Sequence, residues 1–166
     1  MPEVGDKAPD FNLLDQNQNR LELKKLLGKG MVLLVFYPGN DTPVCTAQLC
    51  DYRDNDAQFQ QLGVQILGIS IASIESHANR KFAEKYQFPF PLLNDYDSRV
   101  TKAYKVMSIA GFPKRALYLI GQDGKILYKH VESLPIFRRT SEDLLKDLKE
   151  VVAKAPKVEV AAGAGH

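Results

Sequence analysis

The chemistry-bearing residues lie in one stretch, Pro38-Gly39-Asn40-Asp41-Thr42-Pro43-Val44-Cys45-Thr46-Ala47-Gln48-Leu49-Cys50, which holds both cysteines of the chain. Thr42 suits a helix N-cap, and Pro43 suits the first helical position, where its missing N–H costs nothing. On that register Cys45 is the third helical residue. Backbone N–H groups in a first turn lack intrahelical acceptors, and the helix dipole is positive there. Both effects favour a thiolate over a thiol, so the sequence predicts a lowered pKa for Cys45. A thiolate is the species that attacks an O–O bond.

The spacing to Cys50 carries a second expectation. Residues five apart on an intact helix rise about 7.5 Å and sit about 140° apart around the axis, which puts their Cα atoms about 8.6 Å apart. A disulfide tolerates at most about 6.8 Å. Cys45 and Cys50 therefore bond only if the first turns unwind. Oxidation of one thiol to a sulfenic acid and its capture by the other is an ordinary step for such a pair. On spacing alone, two unrelated buried cysteines fit equally well, because free cysteine is often a small core residue.

The elements around this stretch can be read from apolar periodicity. Met31–Tyr37 is a continuous apolar run and reads as a strand buried on both faces, ending at the turn cluster 38–41. A single helix is expected from Pro43 to about Leu62, closed by Gly63 at C′. Val64–Ser70 reads as a second buried strand. Ser73–Tyr86 reads as a helix with Ile74, Ala78, Phe82 and Tyr86 in one stripe. A short strand near Pro91–Leu93 and a helix near Ser98–Tyr104 follow. Arg115–Ile120 and Lys125–His130 read as a hairpin about Gly121-Gln122-Asp123-Gly124. Thr140–Ala153 reads as a last amphipathic helix, capped by Ser141, with Leu144, Leu145, Leu148 and Val151 toward the core. Alternating strands and helices give an α/β fold, a mixed central sheet flanked by helices on both faces.

The 166 residues suffice for one domain, expected over residues 2–155, with a Gly-rich tail over 156–166 that frays. Hydrophobic residues make up 45% and charged residues 25%, the balance of a globular chain. The net charge of +2, with mixed signs, gives no electrostatic case for nucleic acid or an anionic membrane. No apolar run reaches a membrane span, and the polar N-terminus does not read as a secretory signal. A targeting peptide already removed would leave no trace. The three histidines and two cysteines are not spaced as metal ligands.

The segment Pro38, Thr42, Cys45 matches the Pro-x-x-x-Thr-x-x-Cys signature of the peroxiredoxins. Together with Gly5-Asp6-Lys7-Ala8-Pro9-Asp10-Phe11, with Cys50 five residues on, and with Arg115 before a strand, it makes the chain resemble the bacterioferritin-comigratory-protein and peroxiredoxin Q group from about Gly5 to Val152. The resemblance implies a thioredoxin-like fold and a thiol peroxidase. Cys45 would be the peroxidatic nucleophile and Cys50 the resolving cysteine. Pro38 would shield the site, the Thr42 hydroxyl would bond thiolate and peroxide, and Arg115 would hold the sulfur anionic. It also implies no metal or organic cofactor, reduction by thioredoxin or sometimes glutaredoxin, a monomer or weak homodimer, and a cytoplasmic setting. Gly39-Asn40-Asp41 departs from the family's basic residue followed by small ones, and the 105–114 segment is short. A thioredoxin-like disulfide reductase is the weaker alternative, since that chemistry favours Cys-x-x-Cys. A redox-sensing or holdase role remains compatible.

Other residues read as structural. Arg53, two turns after Cys45, is expected in an ion pair with Asp56 or another acid. Arg99, His77, His130, Lys24-Lys25 and Arg138-Arg139 are expected on solvated faces. Phe36, Tyr37, Phe88 and Phe90 are expected in the core.

Overall fold

The computed structural model describes residues 2–72, 77–132, 134 and 137–155. Seven strands form one mixed sheet: β1 (Asn12–Leu14), β2 (Arg20–Glu22), β3 (Met31–Phe36), β4 (Val64–Ser70), β5 (Leu92–Asn94), β6 (Ala116–Ile120) and β7 (Ile126–Val131). Their order is β2-β1-β5-β4-β3-β6-β7. The central strands β3, β4 and β5 run parallel, and β6 lies antiparallel to β3 with Phe36 opposite Ala116. The helices are α1 (Leu23–Leu27), α2 (Pro43–Asp54), α3 (Asp56–Gln61), α4 (Ala78–Tyr86), α5 (Arg99–Ala103) and α6 (Ser141–Lys154).

Strand periodicity divides the core into two layers. Leu33, Val35 and Tyr37 face one side with Leu117, Leu119, Val64 and Ile66, under α2, α3, α4 and α6. Val32, Leu34 and Phe36 face the other with Ala116, Tyr118 and Ile120, under α1 and α5. A side chain at Arg115, two residues before Leu117, falls on the α2 side by the same period of two. Since β3 and β6 are antiparallel neighbours, the end of β3 that feeds α2 lies beside the start of β6. Topology alone thus brings the Cys45 turn to Arg115. Gly68 of β4 completes the floor. A Cβ there would meet the Leu92 side chain at 2.8 Å and the Tyr37 ring at 3.2 Å, so glycine lets both side chains close over the strand.

The expected helix from Pro43 to Leu62 is broken at Asn55. The Asn55 side-chain amide donates to the Asp51 carbonyl at 2.9 Å, taking the acceptor that its own backbone N–H would use in a continuous helix. That N–H turns instead to the Tyr52 carbonyl at 3.3 Å. Gly63 closes α3 with φ of 76°, as its C′ place requires. The cap of α6 is Thr140, whose Oγ1 accepts from the Asp143 N–H at 3.3 Å, rather than Ser141. Ser141 is already helical, and its hydroxyl donates to Asp51 at 2.6 Å. Of the expected helix 73–86, Ala78–Tyr86 is observed, while Ser73 and Ile74 lie outside the described residues, as does the 156–166 tail. Among the described residues no helix is long and apolar enough to cross a membrane.

Candidate active site

Helix α2 begins on the register the sequence predicts, with Thr42 at the N-cap, Pro43 first and Cys45 third. The Thr42 side chain does not cap it. Its hydroxyl donates instead to the Gly39 carbonyl at 3.3 Å, and Thr42 itself is exposed. Cys45 is fully buried and Cys50 half-buried, and both thiols are free. Pro38 is half-buried at the turn out of β3.

The Arg115 guanidinium meets the sulfur. Its Nη2 donates to Cys45 Sγ at 3.3 Å, and its Nη1 donates to Gln48 Oε1 at 2.8 Å. Arg115 is only 3% exposed, so this cation works with little solvent screening. A guanidinium against a sulfur at a helix N-terminus places an aimed donor where negative charge is carried during attack. Gln48 Nε2 then donates to the Tyr52 hydroxyl at 3.1 Å, and that hydroxyl donates to the Arg139 carbonyl at 2.6 Å. Cys45, Gln48 and Tyr52 share one face of α2 at spacings of three and four. Neither Gln48 nor Tyr52 stands out in the sequence, since a glutamine and a tyrosine inside a helix mark no motif.

The turn before the helix is moored by residues that depart from the family pattern. Tyr37 donates its hydroxyl to Asn40 Oδ1 at 2.8 Å, and Asn40 Nδ2 donates to Asn79 at 2.7 Å. Asp41 takes a left-handed φ of 56°, which aspartate tolerates better than most residues. Its carboxylate accepts from Lys85 and from the Tyr86 hydroxyl, each at 2.9 Å, which holds it below the usual carboxylate range. Both tethers run to α4. Burial pushes the Tyr37 phenol above its ordinary value, Ser70 opposes this, and the neighbouring Cys45 adds to it.

Arg53 pairs with Asp54 at 2.9 Å, not with Asp56, and donates to the Tyr86 carbonyl at 2.7 Å. Its structural role therefore holds with a different acid. Arg138 and Arg139 are not simply solvated. Arg138 reaches Asp51 at 3.3 Å, and Arg139 reaches Asp147 at 2.6 Å. Arg99 is exposed beside Asp97, as expected. His77 is exposed, while His130 is half-buried with Nε2 2.8 Å from Glu132. Phe36, Tyr37, Phe88 and Phe90 are core. Among the described residues no group of three or more His, Cys, Asp or Glu is placed to hold a metal.

Burial pushes the Cys50 thiol above its ordinary value, with Arg53 opposing and Asp54 adding. In a Cys45→Ser variant, alkylation of Cys50 should therefore be slow at neutral pH and climb about tenfold per pH unit through pH 8. A midpoint above the ordinary thiol range, read from rates with iodoacetamide, is the expected result. A plateau reached below pH 8 would contradict it.

The chain is similar to known proteins over most of its length. The AhpC/TSA family matches residues 4–129. Peroxiredoxin Bcp of Bacillus subtilis is 34% identical over 157 residues, covering 89% of this chain and 98% of that protein. The chloroplastic peroxiredoxin Q of Sedum lineare is 39% identical over 124 residues, covering 74% of this chain and 65% of that one. The crystal structure of peroxidoxin BcpB from Mycobacterium tuberculosis superposes with a TM-score of 0.79 at 30% identity, covering 94% of this chain and all of that one. The fold is thioredoxin-like, and a buried cysteine held against an arginine at the start of a helix is the feature that the match spans. On both grounds, this chain belongs to the AhpC/TSA family of peroxiredoxins.

Proposed function

We propose that Cys45 reduces hydroperoxides, hydrogen peroxide and organic hydroperoxides alike, and that Cys50 completes the cycle. The observation that carries this is the Arg115 Nη2 atom 3.3 Å from Cys45 Sγ in the first turn of α2. The thiolate attacks one peroxide oxygen and the O–O bond breaks. Cys45 becomes a sulfenic acid, and the leaving oxygen takes a proton and departs as water or an alcohol. The Arg115 guanidinium, aimed where negative charge moves from sulfur to oxygen, lowers the barrier. The Thr42 hydroxyl, released from Gly39, would donate to the peroxide, and Pro38 would screen the sulfur from water.

Resolution follows. The Cys50 sulfur attacks the Cys45 sulfur, the hydroxyl leaves as water with the thiol proton, and a disulfide forms. A dithiol of the thioredoxin class, or a glutaredoxin, then supplies the two electrons that restore both thiols. Intact α2 keeps the thiols apart, which suits a cycle of unwinding and refolding better than direct disulfide exchange by a ready pair. A disulfide that a thioredoxin-class dithiol resets suits a reducing compartment such as the cytoplasm.

The test is stoichiometric. Reduced protein mixed with one equivalent of hydrogen peroxide should lose both thiols and yield a Cys45–Cys50 linked peptide on mass mapping. Thioredoxin, thioredoxin reductase and NADPH should then sustain peroxide consumption. Thiols that survive the peroxide would overturn the reading.

A further inference from the structure

We propose that Tyr52 is a positioning residue of the peroxide-reducing site: its hydroxyl fixes the Gln48 amide so that this amide's oxygen holds the Arg115 guanidinium against Cys45. The inference rests on Cys45 being the nucleophile, and it assigns a role to a side chain that never touches the sulfur.

The argument is one of donor and acceptor supply. A guanidinium only donates, and a backbone carbonyl only accepts. The Tyr52 hydroxyl has one proton, and that proton is committed to the Arg139 carbonyl at 2.6 Å. Its oxygen can therefore only accept from Gln48. The Gln48 amide must present N–H to Tyr52, at 3.1 Å, and oxygen to Arg115, at 2.8 Å. Flipping the amide would set two donors face to face at Arg115 and two acceptors face to face at Tyr52. Every proton in the chain of contacts points away from the guanidinium, from Arg115 to Gln48 to Tyr52 to the Arg139 carbonyl.

Burial makes this arrangement rigid. Gln48, Tyr52 and Cys45 are each fully buried, so water cannot substitute for a missing partner. Burial also keeps the Tyr52 phenol above its ordinary value, so the hydroxyl stays protonated. The ring is fixed edge-on against Phe59, with centroids 5.8 Å apart. Without the hydroxyl, Gln48 loses its anchor and is free to rotate, and the Arg115 fork loses a fixed acceptor at Nη1. The second N–H, the one on sulfur, is then no longer aimed.

Tyr52→Phe keeps the ring and removes only the hydroxyl. Placed in a Cys50→Ser background, it should slow oxidation of Cys45 by hydrogen peroxide about tenfold, the size of one lost buried hydrogen bond. The pH at which Cys45 alkylation by iodoacetamide is half-maximal should rise, while the thermal melt shows a folded protein. Gln48→Met should reproduce both changes, and adding Tyr52→Phe to Gln48→Met should change them less than about twofold. A structural role alone would lower the melting temperature and leave rate and pH midpoint where they were. Tyr52→Phe with an unchanged rate and midpoint would overturn the proposal, as would effects of the two variants that simply multiply. The alkylation arm needs no peroxide. If the Cys50→Ser parent forms no sulfenic acid at all, the peroxidase reading fails, yet the midpoint still decides the role of Tyr52.

Discussion

Cys45→Ser should consume no peroxide above the uncatalysed rate, whereas Cys50→Ser should complete one oxidation and stop. The asymmetry follows from where the two thiols sit. Cys45 is fully buried in the first turn of α2 with the Arg115 cation 3.3 Å away. A serine hydroxyl there has neither the acidity nor the polarisable sulfur that attack on an O–O bond needs. Cys50 is half-buried one turn and more along the same helix, with its thiol pushed up by burial. It is poorly suited to meet peroxide first, but needs only to reach a neighbouring sulfenic acid. With the helix intact the two Cα atoms stand about 8.6 Å apart, beyond disulfide reach. Bonds such as Thr46 N–H to the Thr42 carbonyl, 2.8 Å, must therefore open before resolution. Trapping with dimedone should find one sulfenic acid per chain in Cys50→Ser, which thioredoxin cannot turn over. Hydrogen exchange over residues 43–50 should be faster in the oxidised wild type than in the reduced one. A Cys50→Ser protein that cycles with thioredoxin at the wild-type rate would remove Cys50 from the mechanism.

How far the unwinding spreads depends on anchors beyond the cysteines. The Asp51 carboxylate accepts from the Ser141 N–H at 2.7 Å and from its hydroxyl at 2.6 Å, and Tyr52 holds the Arg139 carbonyl. Arg53 holds the Tyr86 carbonyl. These contacts fasten the second half of α2 to α4 and to the start of α6. They favour a transition confined to the turns between Thr42 and Cys50.

The parts of this architecture that are written locally were legible in the sequence. β4 is observed over the expected Val64–Ser70, and β3 ends one residue short of the expected Tyr37. Short, largely apolar runs with β-branched members leave little choice of state. β1 and β2 are not legible because three residues such as Asn12–Leu14 and Arg20–Glu22 carry no periodic signal, and they are strands by pairing with each other and, for β1, with β5. The break at Asn55 was missed because it depends on a side chain competing with its own backbone. Arg138 and Arg139 looked like a solvated pair because their acids, Asp51 and Asp147, meet them only in the fold.

The site divides in the same way. Cys45 announces itself through Thr42-Pro43, a local signal for a helix start. Arg115 needed the family resemblance, because no local pattern says that it will face α2. Gln48 needed neither kind of signal and had none. Its partner Arg115 lies 67 residues away in the chain and comes to it through the adjacency of β3 and β6.

Arg115→Met should slow oxidation of Cys45 by about 10²- to 10³-fold, the usual consequence of removing one aimed donor from a developing charge. Methionine fills much of the arginine stem, so the void is small and the change reports the guanidinium. The backbone should hold, because the Arg115 carbonyl accepts from the Glu132 N–H at 2.9 Å and β6 continues at Ala116. Stability should fall by about 1–3 kcal/mol, since the buried Gln48 oxygen loses a partner. Arg115→Lys separates charge from geometry. A lysine keeps the positive charge but presents a point rather than a planar fork, and cannot address Cys45 and Gln48 with two parallel N–H groups at once. It should fall between wild type and Arg115→Met, near a tenfold loss if charge accounts for most of the effect. Stopped-flow oxidation in a Cys50→Ser background measures the step directly, free of resolution and of the reductant. An Arg115→Met protein that reacts within threefold of its parent would mean that the helix terminus alone activates the sulfur, and that the 3.3 Å contact is a matter of packing.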